Sequence, residues 1–164
     1  MMKTKILQKA FLTLTAGFAA FSATTTAHAQ SLHAFEATSH QYTLVSQVCN
    51  GSVCDIMFEG TGTVNIMGPV TVTTHVVQSS GYPCDSGIAD FTFVGATGSI
   101  TTSYAAGWNC PSATHSGYPY TIGGIWNVTG GTGEFSGIVG SGADQGTIAG
   151  NGRPTVHLTG IVVY

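Results

Sequence analysis

From residue 56 onward, apolar and small side chains recur at every second position, and this period confines the chain to β-structure. Ile56, Phe58, Gly60, Gly62, Val64 and Ile66 alternate with Met57, Glu59, Thr61, Thr63 and Asn65. Val70, Val72, Thr74 and Val76 alternate with Thr71, Thr73 and His75, and Ala89, Phe91 and Phe93 with Asp90 and Thr92. Ile100, Thr102 and Tyr104 share one face of a further strand. Tyr120, Ile122, Gly124, Trp126 and Val128 share a face of the next, and Val156, Leu158, Gly160, Val162 and Tyr164 a face of the last, which runs from about Thr155 to Tyr164. A strand turns successive side chains to opposite faces, whereas a helix repeats every 3.6 residues. Beyond the first 29 residues no segment reads as an amphipathic helix.

Glycine and proline punctuate the strands. Met67-Gly68-Pro69, Gly95-Ala96-Thr97-Gly98, Gly130-Gly131-Thr132-Gly133 and Gly150-Asn151-Gly152 are turn sequences. Ser79 to Gly87 and Gly107 to Pro119 read as loops, the second carrying Trp108 and Cys110. Glu134 to Ile148 is Gly-rich and reads as two short strands or a bulged pair. His33, His40 and His115 fall in terminal or loop segments. Seven or eight short strands suggest a sandwich or an up-and-down barrel. A barrel removes the edges that Thr- and Val-rich strands would expose, and glycines within strands permit the coiling that closure requires.

The first 29 residues read as a leader outside this fold. Lys3, Lys5 and Lys9 precede an apolar stretch, Ala10 to Ala23, too short to span a bilayer. Ala27-His28-Ala29 supplies a small-x-small cleavage site, so residues 1–29 are expected to be a signal peptide and residues 30–164 a single domain. No long apolar run follows, so no integral membrane helix is expected. The leader holds three of the four cations, while all seven acids lie beyond it. The remaining 135 residues therefore carry one cation, Arg153, and a formal charge of −6 with histidines neutral. Nucleic-acid binding needs a field of Lys and Arg, so it is excluded as a function class.

The four cysteines, Cys49, Cys54, Cys84 and Cys110, all follow the leader. An even count in an exported chain argues for two disulfides in a secreted or periplasmic protein. Of the three connectivities we favour Cys49–Cys54, across the Asn50-Gly51 reversal, which leaves Cys84–Cys110 to tie two longer loops. A zinc site is disfavoured because no Cys-x-x-Cys spacing occurs.

One local motif goes beyond periodicity. Gly131-Thr132-Gly133-Glu134-Phe135-Ser136-Gly137-Ile138-Val139-Gly140 reads GTGxFxGxxG, follows Ile125-Trp126-Asn127-Val128-Thr129, and precedes one last hairpin. It resembles the C-terminal half of the allene oxide cyclase-like barrel family, which includes the dirigent proteins and many small secreted bacterial members. The resemblance covers about the last forty residues. It implies an all-β, antiparallel eight-stranded barrel with a central cavity, following the cleaved leader. The motif itself reads as a turn in which glycines set the backbone angles and Phe135 enters the core. The plant enzymes of the family guide cyclisation or coupling of hydrophobic or phenolic substrates. No catalytic residue of theirs maps onto this chain, and a shared fold does not transfer an activity.

Two residue sets could carry function. Glu59, Thr61, Thr63, Asn65, Thr71, Thr73, His75, Asp90, Thr92, Asn127, Thr155, His157 and Thr159 form a polar stripe, and periodicity leaves open which face points inward. If the stripe is external it is a solvated surface. If it lines a lumen, Glu59, His75, Asp90 and His157 are the candidates for proton transfer. Trp108, Tyr118, Tyr120 and Trp126 cluster near one loop, and they either pack the core or line an entrance for an aromatic, sugar or lipid ligand. His75 and His157 show no local metal-ligand spacing, so no metal is expected. There is no G-x-S-x-G elbow and no phosphate-binding glycine motif, and no cofactor is expected. The leading expectation is a non-enzymatic exported barrel that binds a small apolar or aromatic ligand or serves as a surface or extracellular component. The alternative is a cyclase- or isomerase-like enzyme acting on a hydrophobic substrate in the barrel. A small outer-membrane barrel ranks below both, because the cysteines and the Thr-rich face argue against it.

Overall fold

The computed structural model describes residues 30–113, 117 and 119–164. The expected leader, residues 1–29, together with His115 and Tyr118, lies outside the described residues. Eight strands follow one another: β1 (Leu32–Asn50), β2 (Val53–Val64), β3 (Gly68–Ser79), β4 (Asp85–Val94), β5 (Gly98–Pro111), β6 (Tyr120–Gly133), β7 (Val139–Ile148) and β8 (Pro154–Val163). Each pairs antiparallel with the next, and β8 pairs back onto β1 from Leu32↔Val163 to Ser39↔Val156, closing the barrel. Among the described residues no helix is long and apolar enough to cross a membrane.

Three expectations about local structure are corrected. Leu32–Asn50 is a long strand, so His33 and His40 lie on β1 and not in a loop. Register shifts between His40 and Thr43 and between Leu44 and Ser46 break its two-residue period, which hides it from a periodicity reading. β5 extends to Pro111, so Trp108 and Cys110 sit on a strand, paired with Gly123 and Thr121 of β6. The Gly-rich stretch after Gly133 is one turn followed by the single strand β7.

The alternation resolves in one sense. Phe35, Ala37, Val64, Val72, Phe91, Phe93, Ile100, Trp126, Leu158 and Val162 are buried inside the barrel. The intervening Thr61, Thr63, Thr71, Thr73, His157 and Thr159 are exposed outside. The interior is apolar, and the outer face mixes these polar side chains with exposed Leu44, Val48, Ile88, Ile125, Val139 and Ile161.

Because all strands alternate in direction, the connections gather at two ends. One end holds the turns at residues 65–67, 95–97 and 134–138 and the start of β1. The other holds the turn at 51–52, the segment 80–84, the end of β5 with the start of β6, and the turn at 149–153. The first end is closed by the GTGxFxG turn. Gly133 has φ of +63°, a conformation costly for any residue with a Cβ. The Phe135 amide donates to the Thr132 carbonyl and the Ile138 amide to the Phe135 carbonyl. This fold-back buries Phe135, whose ring meets Tyr164 edge-on at 5.3 Å.

The far end carries both disulfides, Cys49–Cys54 across the β1–β2 hairpin and Cys84–Cys110 between the β3–β4 connection and β5. Both pairings match the sequence expectation.

Candidate functional site

The barrel interior is filled unevenly. Toward the closed end Phe35, Phe93, Ile100, Trp126 and Phe135 are fully buried, and the Phe35 ring lies 5.1 Å from that of Trp126 and 6.3 Å from that of Phe93. Gly142 and Gly160 admit the Trp126 indole, since a Cβ at either would lie 2.6–2.7 Å from its ring. The indole N–H donates to the Ala143 carbonyl at 3.1 Å. Toward the disulfide end the inward positions carry Ile56, Phe58, Val76, Ala89, Phe91 and Ile122, and these do not meet at the centre. They surround a cavity of about 120 Å³. Apolar cavities of roughly this size, about 150 Å³, hold a single aromatic ring.

Polar groups enter the cavity wall at few points. The β1 bulge turns Tyr42 inward, and Gly60 leaves room for its ring, which would lie 3.0 Å from a Cβ at that position. The Tyr42 hydroxyl donates to Ser39 Oγ at 2.6 Å and accepts from Thr74 Oγ1 at 3.2 Å. Burial holds this phenol above its ordinary pKa, and the two hydrogen bonds offset part of the effect.

Beside Tyr104, which lines the cavity, lies a buried carboxyl. Asp144 projects inward from β7, on the same parity as Gly142 and Gly146, and is buried. Opposite it in the ladder, Gly124 makes space, because a Cβ there would lie 2.9 Å from Asp144 Oδ1. The Tyr104 phenol lies beside it. Neither carboxyl oxygen and not the Tyr104 hydroxyl has a well-formed hydrogen bond among the described residues. Burial pushes the Asp144 carboxyl above the usual carboxylate range, and the neighbouring phenol offsets part of that rise. Burial and then the Asp144 carboxyl raise Tyr104, so the phenol stays protonated.

The mouth is polar and braced. Gln78 Nε2 donates to Asp85 Oδ2 at 2.6 Å, and the Gly81 amide donates to Asp85 Oδ1 at 3.0 Å. Trp108 lies beside the cavity at 47% exposure, its ring over Gly123, where a Cβ would collide with the indole. Arg153 is exposed in the 149–153 turn at this end.

The residues singled out from sequence scatter over this frame. Trp108 lines the cavity, Trp126 is core, and Tyr120 is 39% exposed at the start of β6, off the cavity wall. Glu59, His75, Asp90 and His157 lie on the outward face and do not converge in the lumen. His75 and Asp90 are direct cross-strand neighbours, and His75 Nε2 is 3.1 Å from Asp55 Oδ1, both groups well exposed. His157 Nδ1 is 3.0 Å from Thr38 Oγ1. Glu59 sits opposite Thr73, two ladder positions from the Met57–His75 pair. No three His, Cys, Asp or Glu side chains among the described residues are grouped to hold a metal. Sequence reasoning passed over Tyr42, Tyr104 and Asp144. Asp144 had a usable signal: it shares the parity of Gly140, Gly142 and Gly146, and those glycines face the aromatic interior.

No family model matches the chain, and no curated protein matches it.

Proposed function

We propose that the protein acts outside the cytoplasm as a small barrel that binds an apolar or aromatic molecule in the cavity at its disulfide end. The observation that carries this reading is the unfilled, mainly apolar space among Ile56, Phe58, Val76, Phe91, Ile122 and Trp108. Close-packed interiors seldom leave such space, and a concave apolar site with a few polar groups is the usual form of a small-molecule site. The two disulfides support an oxidising compartment. Membership of the allene oxide cyclase-like barrels is part of the same proposal, supported by the GTGxFxG motif and by the eight-strand count.

The test is titration with a neutral, polarity-sensitive naphthalene dye. Wild-type protein should bind it saturably at one dye per barrel. Ala89→Phe, which fills the cavity from β4, should abolish binding and keep the cooperative thermal transition. Absence of saturable binding, or equal binding by the filled variant, would refute the reading.

A further inference from the structure

The outer wall carries an exposed indole on an uncharged band. Trp108 stands at the cavity wall, yet its ring lies outside. Ile122 and Gly124 face the interior, so Gly123 between them faces out, and the Trp108 ring covers it. Gly123 is buried in consequence, while Trp108 keeps 47% exposure. Ser86, Trp108, Gly123, Gln145 and His157 are successive cross-strand partners on β4 to β8. Strands lie ~4.8 Å apart, so this row crosses about 19 Å of wall.

On its β4 side the row meets a shallow groove of about 350 Å³. The groove lies where the β4–β5 ladder is interrupted between Gly87 and Asp90. Val77, Ile88 and Ala106 give it apolar sides, and Ser79 and Ser86 add hydroxyls. Neither the groove nor the row holds Asp, Glu, Lys or Arg. Beyond residue 29 the chain carries a formal charge of −6 with histidines neutral, which opposes an acidic polymer.

We propose that this band binds a neutral β-linked polysaccharide. One sugar ring stacks on Trp108, and the chain runs from the groove toward Gln145 and His157. A β-1,4-linked pyranose chain is extended, with flat C–H faces edged by hydroxyls. The negative face of an indole attracts such weakly positive hydrogens. The Ser86 hydroxyl, the Gln145 amide and the His157 ring offer both donors and acceptors to sugar hydroxyls. A wholly apolar partner would cover these groups and leave them unpaired, at a cost in free energy. The site lies outside the barrel and does not depend on the cavity's being a ligand site.

The chain has two tryptophans and Trp126 is fully buried, so acrylamide quenching of the oxidised protein reads Trp108. Cellohexaose should protect Trp108 saturably, and hexagalacturonate, an acidic oligomer of the same length, should not. In calorimetry, Trp108→Ala should weaken cellohexaose binding by about tenfold or more. Gln145→Ala should weaken it about fivefold and leave the naphthalene-dye titration of the cavity unchanged. Ala89→Phe, which fills the cavity, should leave cellohexaose binding intact. No protection by cellohexaose, equal protection by hexagalacturonate, or full affinity in Trp108→Ala would overturn the proposal. So would protection of Trp108 by raised protein concentration alone, with doubled mass in sedimentation, which would make the band a face for a second copy. None of these results alters the dye titration, by which the cavity reading stands or falls.

Discussion

The two ends of this barrel are closed by different chemistry. At one end the GTGxFxG turn folds Phe135 under the strands, where it meets Tyr164 and adjoins a layer of fully buried aromatic and aliphatic side chains. Neither disulfide lies there. At the other end the connections are longer, the inward side chains leave a cavity, and both disulfides brace the rim. With Arg153 the one Lys or Arg beyond residue 29, ion-pair networks are unavailable to either end. The difference teaches how a small barrel keeps an unfilled mouth. Packing stabilises where side chains fill the lumen, and cross-links limit the unfolded chain where they do not.

The largest expected effect tests the closed end. Phe135→Ala removes a fully buried ring and should destabilise by about 3–5 kcal/mol in urea denaturation. The molecules that remain folded should bind a cavity ligand with unchanged affinity, because the change is made at the opposite end. A loss of ligand binding with stability preserved would dissolve the division between the ends.

A somewhat smaller effect tests the mouth. Cys84 and Cys110 are 26 residues apart, and replacing both by Ser should cost about 3–4 kcal/mol. The five-residue Cys49–Cys54 closure should be worth about 2 kcal/mol. Opening Cys84–Cys110 should also weaken cavity binding, since Asp85 and Asn109 adjoin the bridge and line the wall. Unaltered binding after its removal would mean that packing alone holds the mouth.

The smallest effect concerns pH. The Asp144 carboxyl has a raised pKa in the folded state, so between the unfolded and folded values the native protein holds more protons than the unfolded chain. Its contribution is fully present below the unfolded value and is lost as pH rises through the folded value. The stability of the unliganded protein should therefore fall with rising pH across this window, by at most about 1.4 kcal/mol per pH unit for one proton. Asp144→Asn should flatten that slope in denaturation curves taken above about pH 4. An identical slope in the variant would show that Asp144 ionises as freely in the fold as in the unfolded chain.

Much of the fold was legible because alternation is a local property. Phe91 and Phe93 in β4, or Val156, Leu158 and Val162 in β8, declare a strand and its two faces without reference to any partner. β1 was illegible for the converse reason. Its two register shifts are stabilised by pairing with β2, so Tyr42 reaches the interior on a parity that the residues around Phe35 do not foretell. The candidate site was less legible still. The proton-transfer candidates were chosen by residue type on the polar stripe, and the structure turns that stripe to solvent. The inward acid stood in a Gly-rich segment whose face was marked only by glycines and by Ile148 at its end.

The order of residues by itself determined most of the strands, the turns at Gly68, Gly133 and Gly152, the anionic character beyond residue 29 and a sound choice of cysteine pairs. Each depends on neighbours in sequence or on a count. Only the tertiary structure decided which face is inside, that β8 returns to β1, and that Tyr42 and Tyr104 line one cavity with Asp144 beside Tyr104. These are contacts between strands distant along the chain, and their geometry exists only once the barrel has closed.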